Sequence, residues 1–452
     1  MEALSIYKKA TQLVEVDNAV KFDVPIPANH PFYTDFAEVR GDFEDRMIYK
    51  ALNVDKKFVF NAQANAGNKA LIFLAGMRGS GKTSELAKIT AKLHRPEAFF
   101  CVTCNLDEGL DINNMEYMDI LVFQLERLFE ELNRKGGIEL ETPIIKGLQA
   151  WFGERVKEAN KLIKAEGGLE IEVKAETPSL LSFLTLATKL RASFTGTREN
   201  AEKVRTVLKN NFRDFALKVN SFFEYVNMVL RRNQMAQEIL FVVDGLEKVA
   251  TKALRQKIVV EENNRFRQVK ANTIFTLPIE LMGDTQKLYA QSNNVINFPH
   301  VKLRERDGSE VPAAVNKFIE FIYKRIDPNL FDSEVTVRRA VLYGGGSPRE
   351  LLRVLEYANL YADEDKGQID AAALDKAVKK LASQTSQYLT EKDLATLKDL
   401  HLANQKSEPV PYSVDYQDLM EKLIVLEYND GTYKRVNPVV EVSELYKRYV
   451  LA

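Results

Sequence analysis

The densest chemistry in the chain lies in eight residues, Gly76-Met77-Arg78-Gly79-Ser80-Gly81-Lys82-Thr83. Three glycines let the backbone curl with its amides pointing inward, forming a concave nest for anionic oxygens. Lys82 adds a point cation of the kind that meets the β- and γ-phosphates of a nucleotide. Thr83 offers a hydroxyl oxygen to magnesium, a hard ion that prefers such donors. The expected phosphate-contact set is Gly76, Arg78, Gly79, Ser80, Gly81, Lys82, Thr83 and Ser84. A second chemical feature is the apolar run Ile239-Leu240-Phe241-Val242-Val243, which ends in Asp244. A carboxylate at the C-terminal rim of a parallel sheet faces the crevice where ligands sit. Asp244 is therefore expected to share magnesium with Thr83, and Glu247 is the candidate to polarise an attacking water.

Such a loop works only between a strand and a helix. Ala70–Ala75 is a short, continuous apolar run, as in a strand covered on both faces. A helix is expected from about Gly81, with Leu86, Ile89 and Leu93 at helical spacing and Pro96 marking its end. Further strands are expected at Phe99–Cys104, Ile239–Asp244, Thr273–Leu277 and Val295–Phe298. Strands alternating with helices predict an α/β fold built on a parallel sheet. Residues 115–237 read as a helical insertion, with helices at 116–133, 179–194, 198–209 and 212–236, broken at Gly136-Gly137 and Gly167-Gly168.

The expected division is an N-terminal segment at 1–60, a P-loop core at 61–305, a helical lid at 306–385 and a winged-helix-like unit at 386–452. Near the start, Pro25, Pro27 and Pro31 punctuate an extended segment, a helix is expected at about 41–52, and 61–68 is a polar loop. The last unit should hold helices at 391–404 and 414–424. A hairpin, Ile424–Tyr428 with Tyr433–Val436, follows around Asn429-Asp430-Gly431-Thr432, where Asp-Gly is a strong turn signal.

Composition bounds the function. The 452 residues imply two or three domains, and 45% hydrophobic residues supply ample core. Net charge is −1, so no global electrostatic footprint for nucleic acid exists. The two cysteines, Cys101 and Cys104, form a C-x-x-C inside an apolar run. With no second pair they read as buried thiols rather than a zinc site, and the expected setting is a reducing cytoplasm. No secretory signal and no run of about 18 apolar residues is present, so no membrane span is expected.

Together the phosphate loop, Val243-Asp244-Gly245-Leu246-Glu247-Lys248, Thr273–Pro278 and Gly344-Gly345-Gly346-Ser347-Pro348-Arg349 make the chain resemble the AAA+/STAND P-loop ATPases. The likeness is greatest to the NACHT-type signalling and archaeal origin-recognition-like branch. It spans about residues 35–452. The resemblance implies ATP and ADP as ligands with Mg2+, a lid closing on the nucleotide, and a homo-oligomer or a complex with an effector. Antiviral defence in bacteria or archaea is the implied setting. It also implies that Thr276 is a polar sensor of the γ-phosphate. Pro348 would lie near the base, and Arg349 would reach the phosphates from the lid. Phe32, Tyr33 and Phe36 would fall near adenine, although core packing is the commoner use of such residues. Arg265, Arg267, Arg304 and Arg306 are candidates for an arginine acting on a neighbour's nucleotide, each also readable as a surface charge. Many hydrolysing relatives carry glutamate directly after the aspartate. Gly245 stands there instead, which predicts slow hydrolysis.

Two functional readings stay open, beside the weaker one of a relict nucleotide site. In one, nucleotide state controls self-assembly or an effector. In the other, the protein loads onto DNA through the winged helix, with Lys434 and Arg435 on phosphate. Asp415, Asp418 and Glu421 make the 414–424 helix poor for DNA recognition.

Overall fold

The computed structural model describes residues 7–22, 25–41, 43–62, 69–135, 142–165, 180–284, 287–288, 294–410, 413–431 and 433–452. Most of the polar loop at 61–68, both paired-glycine breaks and Thr432 lie outside them.

Five strands form one sheet: β1 Leu71–Gly76, β2 Phe99–Asn105, β3 Glu238–Asp244, β4 Asn272–Pro278 and β5 Asn294–Asn297. Their order is β2-β3-β4-β1-β5, and every pairing is parallel. The chain is thus an α/β protein with the parallel-sheet core of a P-loop NTPase. Parallel strands need long crossovers, which the helices supply. β1 is buried along its whole length. Its alternate residues serve two cores. Phe73 and Ala75 pack on one face of the sheet, and Ile72 and Leu74 on the other.

The second face is covered by the helix Lys82–Leu93 (α1), through Leu86, Ile89 and Leu93, and by the helix Asp45–Ala51, through Ile48. The first face is covered by the helices between β2 and β3, which share one continuous apolar cluster with the sheet. The Phe223 and Phe241 rings, for instance, lie 5.5 Å apart. These helices run Tyr117–Lys135, Thr142–Ala165, Leu180–Phe194, Arg198–Asn210 and Phe212–Arg232. Thr142–Ala165 was not marked out in the sequence, where Gly147 and Gly153 weaken helix propensity. Its apolar residues Ile145, Leu148, Phe152, Val156, Ala159 and Ile163 nonetheless keep helical spacing and are buried. Phe212–Arg232 stops short of the expected 236, because the chain turns through Gln234 at positive φ.

Beyond β5, the helices Pro312–Tyr323 (α2), Glu334–Tyr343, Pro348–Leu360 (α3) and Ala371–Ser386 build a separate apolar cluster. Tyr7, Val16, Phe32 and Phe36 of the N-terminal segment pack into it. The last cluster joins the helices Glu391–Gln405 and Val414–Glu421 to a two-stranded hairpin, β6 Val425–Tyr428 and β7 Tyr433–Val436. Val414–Glu421 ends before the expected 424, because Leu423 takes positive φ to enter β6.

Candidate functional site

The loop between β1 and α1 forms one wall of a cavity of about 280 Å³. Gly79 and Gly81 sit at φ +83° and +96°, a left-handed region costly for other residues. These turns aim the amides at the start of α1 into the cavity, where the helix dipole also favours an anion. Arg78, Gly79, Gly81, Lys82, Thr83 and Ser84 line the space. Gly76 and Ser80 stand behind it. A side chain at Gly76 would strike the Phe298 carbonyl at 2.6 Å. Ser80 is fully buried, and its hydroxyl has no hydrogen-bond partner among the described residues.

The Lys82 ammonium is buried and donates to the carbonyls of Gly76 at 2.8 Å and Met77 at 3.0 Å. Burial lowers its pKa, opposed by the negative field of Glu247 and Asp244. Two of its three donors are spent on the loop, leaving one for an anion in the cavity. Thr83 donates its hydroxyl to Asp244 Oδ2 at 2.6 Å, which joins the start of α1 to the end of β3.

Strand register positions the acidic end. Val243 pairs with Phe275, so Asp244 and Thr276 stand side by side one residue further on. The Thr276 hydroxyl accepts the Gly245 amide at 3.1 Å and donates to Glu247 Oε2 at 3.2 Å. Thr276 is fully buried and holds the acidic residues from behind, whereas Asp244 and Glu247 reach the cavity. Burial raises the Asp244 pKa, and the neighbouring Glu247 charge raises it further.

Pro348 and Arg349 bring the start of α3 to the same space. Ser347 caps α3 and donates its hydroxyl to the Gly79 carbonyl at 3.2 Å, tying the lid to the loop. Phe32, Tyr33 and Phe36 also line the cavity, and Phe36 packs on Phe318 at 4.6 Å between ring centres. These aromatics are core and cavity wall at once.

Three contributors had no sequence signal. Arg40 is buried and donates through Nη1 to the carbonyls of Ser80 at 3.0 Å and Pro299 at 2.9 Å. Arg325 comes from just beyond the end of α2, and Lys21 from the N-terminal segment. The acceptors of Arg40 are remote in sequence, and no local pattern marks Arg325 or Lys21 as cavity residues.

The remaining candidates stand elsewhere. Arg265 lies over the Phe212 ring, Arg304 donates to the Gly308 carbonyl and Arg306 donates to the Glu408 carbonyl. None of these, nor Arg267, lines the cavity. On the hairpin, Lys434 pairs with Glu427 and Arg435 with Glu441. Cys101 and Cys104 are buried, and burial raises both thiol pKa values, so they are inert core residues. No group of three or more metal-ligating side chains of the His, Cys, Asp and Glu type occurs among the described residues. No helix among them is long and apolar enough to cross a membrane.

Comparison with models of known protein families finds no match, and neither does comparison with curated proteins. Among solved structures, the chain is similar to the Walker-type ATPase PABY2304 of Pyrococcus abyssi. That likeness has 14% identity and a TM-score of 0.41, over 93% of this chain and 98% of that one. It is also similar to a RuvB mutant of Thermotoga maritima, with 10% identity and a TM-score of 0.35, over 93% and 97%. At these values neither likeness bears on function, and the reading rests on the site itself.

Proposed function

We propose that this chain is an ATP-binding, slowly hydrolysing molecular switch of the AAA+/STAND type, whose nucleotide state controls self-assembly or an effector protein. The observation that carries the reading is the convergence of Lys82, Thr83, Asp244, Glu247 and Arg349 on one cavity, from three separate places in the chain. Loop amides and Lys82 would bind the phosphates. Arg349 would sense their charge from the lid, so that closure depends on how many phosphates are present.

The donor set fits magnesium. Thr83 and Asp244 present hydroxyl and carboxylate oxygens, and the repulsion between Asp244 and Glu247 is what a divalent cation relieves. When bound there, the ion would neutralise phosphate charge. The protein's own part is to hold geometry. Thr276 fixes Glu247, which would orient a water and take its proton at Oε1 or Oε2. Glu247 sits on a short turn after Gly245 rather than directly after Asp244. That displacement supports slow turnover, suited to a timer more than a motor.

Control of a partner is favoured over loading onto DNA through the hairpin. Lys434 and Arg435 are engaged by Glu427 and Glu441. Asp415, Asp418 and Glu421 of the adjoining helix pair with Lys392, Lys252 and Arg255. A phosphate backbone would have to break these pairs before gaining any contact.

The test is particle size with ATP, ADP and no nucleotide, for the wild type and Lys82→Ala. The wild type should change assembly state with ATP and the variant should not. Identical profiles in all conditions would remove the switch.

A further inference from the structure

The cavity extends well past the phosphate loop, and its far wall is held by a chain of contacts. Arg40 binds the Ser80 carbonyl and lies 5.9 Å from the centre of the Phe36 ring. Phe36 lies 5.8 Å from Phe321, and the Arg325 guanidinium stacks on Phe321 at 3.7 Å and faces Phe32 at 5.0 Å. Arg40, Phe36, Phe321, Arg325 and Phe32 all line the cavity. A ligand anchored at the loop thus has an aromatic wall beside it and a guanidinium at the end.

That guanidinium is unusual. Arg325 is only 4% exposed. It spends one donor on the Phe321 carbonyl at 3.0 Å, and no carboxylate pairs with it among the described residues. Burial alone pushes its pKa down to about 9. Capping the last turn of α2 does not require a buried charge, since a lysine or a water serves as well. A charge kept in an apolar setting without a counter-ion costs stability, and such costs concentrate at functional positions. Arginine has donors and no acceptor, so the missing partner must present acceptors. Thr34 is a second sign of a missing partner: it lines the same cavity, is 6% exposed, and its hydroxyl has no hydrogen bond among the described residues.

We propose that Arg325 is the base-reading residue of the site, donating to an acceptor atom on the nucleobase while the base packs against Phe32, Phe36 and Phe321. The ligand class is then a nucleoside triphosphate whose base, not only its phosphates, contributes to affinity. This rests on the nucleotide reading above.

The experiment measures binding of ATP and of inorganic tripolyphosphate, each with magnesium, to the wild type, Arg325→Met and Arg325→Lys. ATP analogues lacking one ring nitrogen each are added for the wild type and Arg325→Met. Arg325→Met should weaken ATP about tenfold or more, the effect of losing one charged hydrogen bond, and leave tripolyphosphate within about twofold. Arg325→Lys, keeping one mobile donor, should fall between. One ring-nitrogen analogue should lose a similar factor on the wild type and nothing further on Arg325→Met. Without ligand, Arg325→Met should unfold at the same temperature as the wild type or higher, which a purely structural arginine would not allow. Parallel weakening of ATP and tripolyphosphate, or no weakening of either, would overturn the assignment. Wild-type binding of tripolyphosphate as tightly as ATP would overturn it while leaving the phosphate site intact. Failure of the wild type to bind either would remove the nucleotide reading itself. The analogue series needs no variant, so it decides the matter even if Arg325→Met does not fold.

Discussion

Replacing Arg40 with methionine tests whether the phosphate loop is braced from behind. Arg40 donates to the carbonyls of Ser80 and Pro299 and stacks on Phe298 at 4.0 Å. It thereby joins the loop to the chain leaving β5. Its removal forfeits two charge-assisted hydrogen bonds, together about 3–6 kcal/mol at about 1.5–3 kcal/mol each. Against that stands the cost of burying the guanidinium. Burial lowers its pKa to about 10, despite the opposing field of Glu85 and other nearby groups. That displacement corresponds to roughly 3 kcal/mol, which methionine would recover. A methionine sulfur also keeps a favourable contact with the Phe298 ring. The balance is a net loss of about 0–3 kcal/mol in fold stability. The loop loses its brace outright, so ATP affinity should fall about tenfold or more while the fold survives. Thermal unfolding without ligand, paired with calorimetric titration of ATP and magnesium, reads both quantities on one sample. A variant that unfolds easily yet binds ATP with wild-type affinity once cooled would refute the reasoning, because Arg40 would then serve the fold and not the loop.

Glu247→Gln keeps the shape and the Thr276 contact but removes the proton acceptor. ATP binding should stay within about threefold of wild type while phosphate release falls about 100-fold or more, the usual worth of a general base; unchanged turnover would assign the water to another residue. His300 supplies a test of pH dependence. It is fully buried between Arg40, Lys82 and the Tyr428 ring, with neither ring nitrogen hydrogen-bonded among the described residues. Burial pushes its pKa down to about 3, helped by the Arg40 and Lys82 charges. The folded protein therefore holds the ring neutral, and the stability this gives is present above the ordinary histidine pKa near 6.5 and lost as pH falls towards about 3. By about pH 5 the wild type should have lost roughly 2 kcal/mol more than His300→Leu, measured by denaturant unfolding at both pH values. Parallel acid profiles would show that the ring protonates without penalty.

How much of this was legible in the sequence depended on how local each determinant is. β1 and β3 announced themselves as unbroken apolar runs because both of their faces are covered. The glycine loop was legible because positive φ restricts what may stand at positions 79 and 81. The hairpin was legible for a similar reason, with Asn429 and Gly431 at positive φ. Thr276 was legible as a polar residue at the end of the strand beside the acidic one, but its bond to Glu247 appears only once β3 and β4 are paired. Arg40 escaped notice because its acceptors, Ser80 and Pro299, are 40 and 259 positions away. Arg325 follows an ordinary amphipathic helix, and nothing local marks it as unpaired. Residues that make loops leave patterns, whereas residues that brace loops from a distance do not.

The same kind of distant contact connects the glycine loop to the rest of the chain. Met77 points away from the nucleotide cavity into the apolar cluster of the C-terminal unit, and its sulfur accepts the Glu427 amide of β6. From the same hairpin, Tyr428 donates to the Gly345 carbonyl at 2.7 Å, at the entrance to α3. Ser347, two residues on, returns to the loop through the Gly79 carbonyl. Loop, hairpin and lid thus form a closed circuit of three hydrogen bonds. Each such bond has a net worth of about 1 kcal/mol. On the proposed switch, a ligand that shifted Met77 or the Gly79 carbonyl would draw on the contacts that hold α3 and the hairpin.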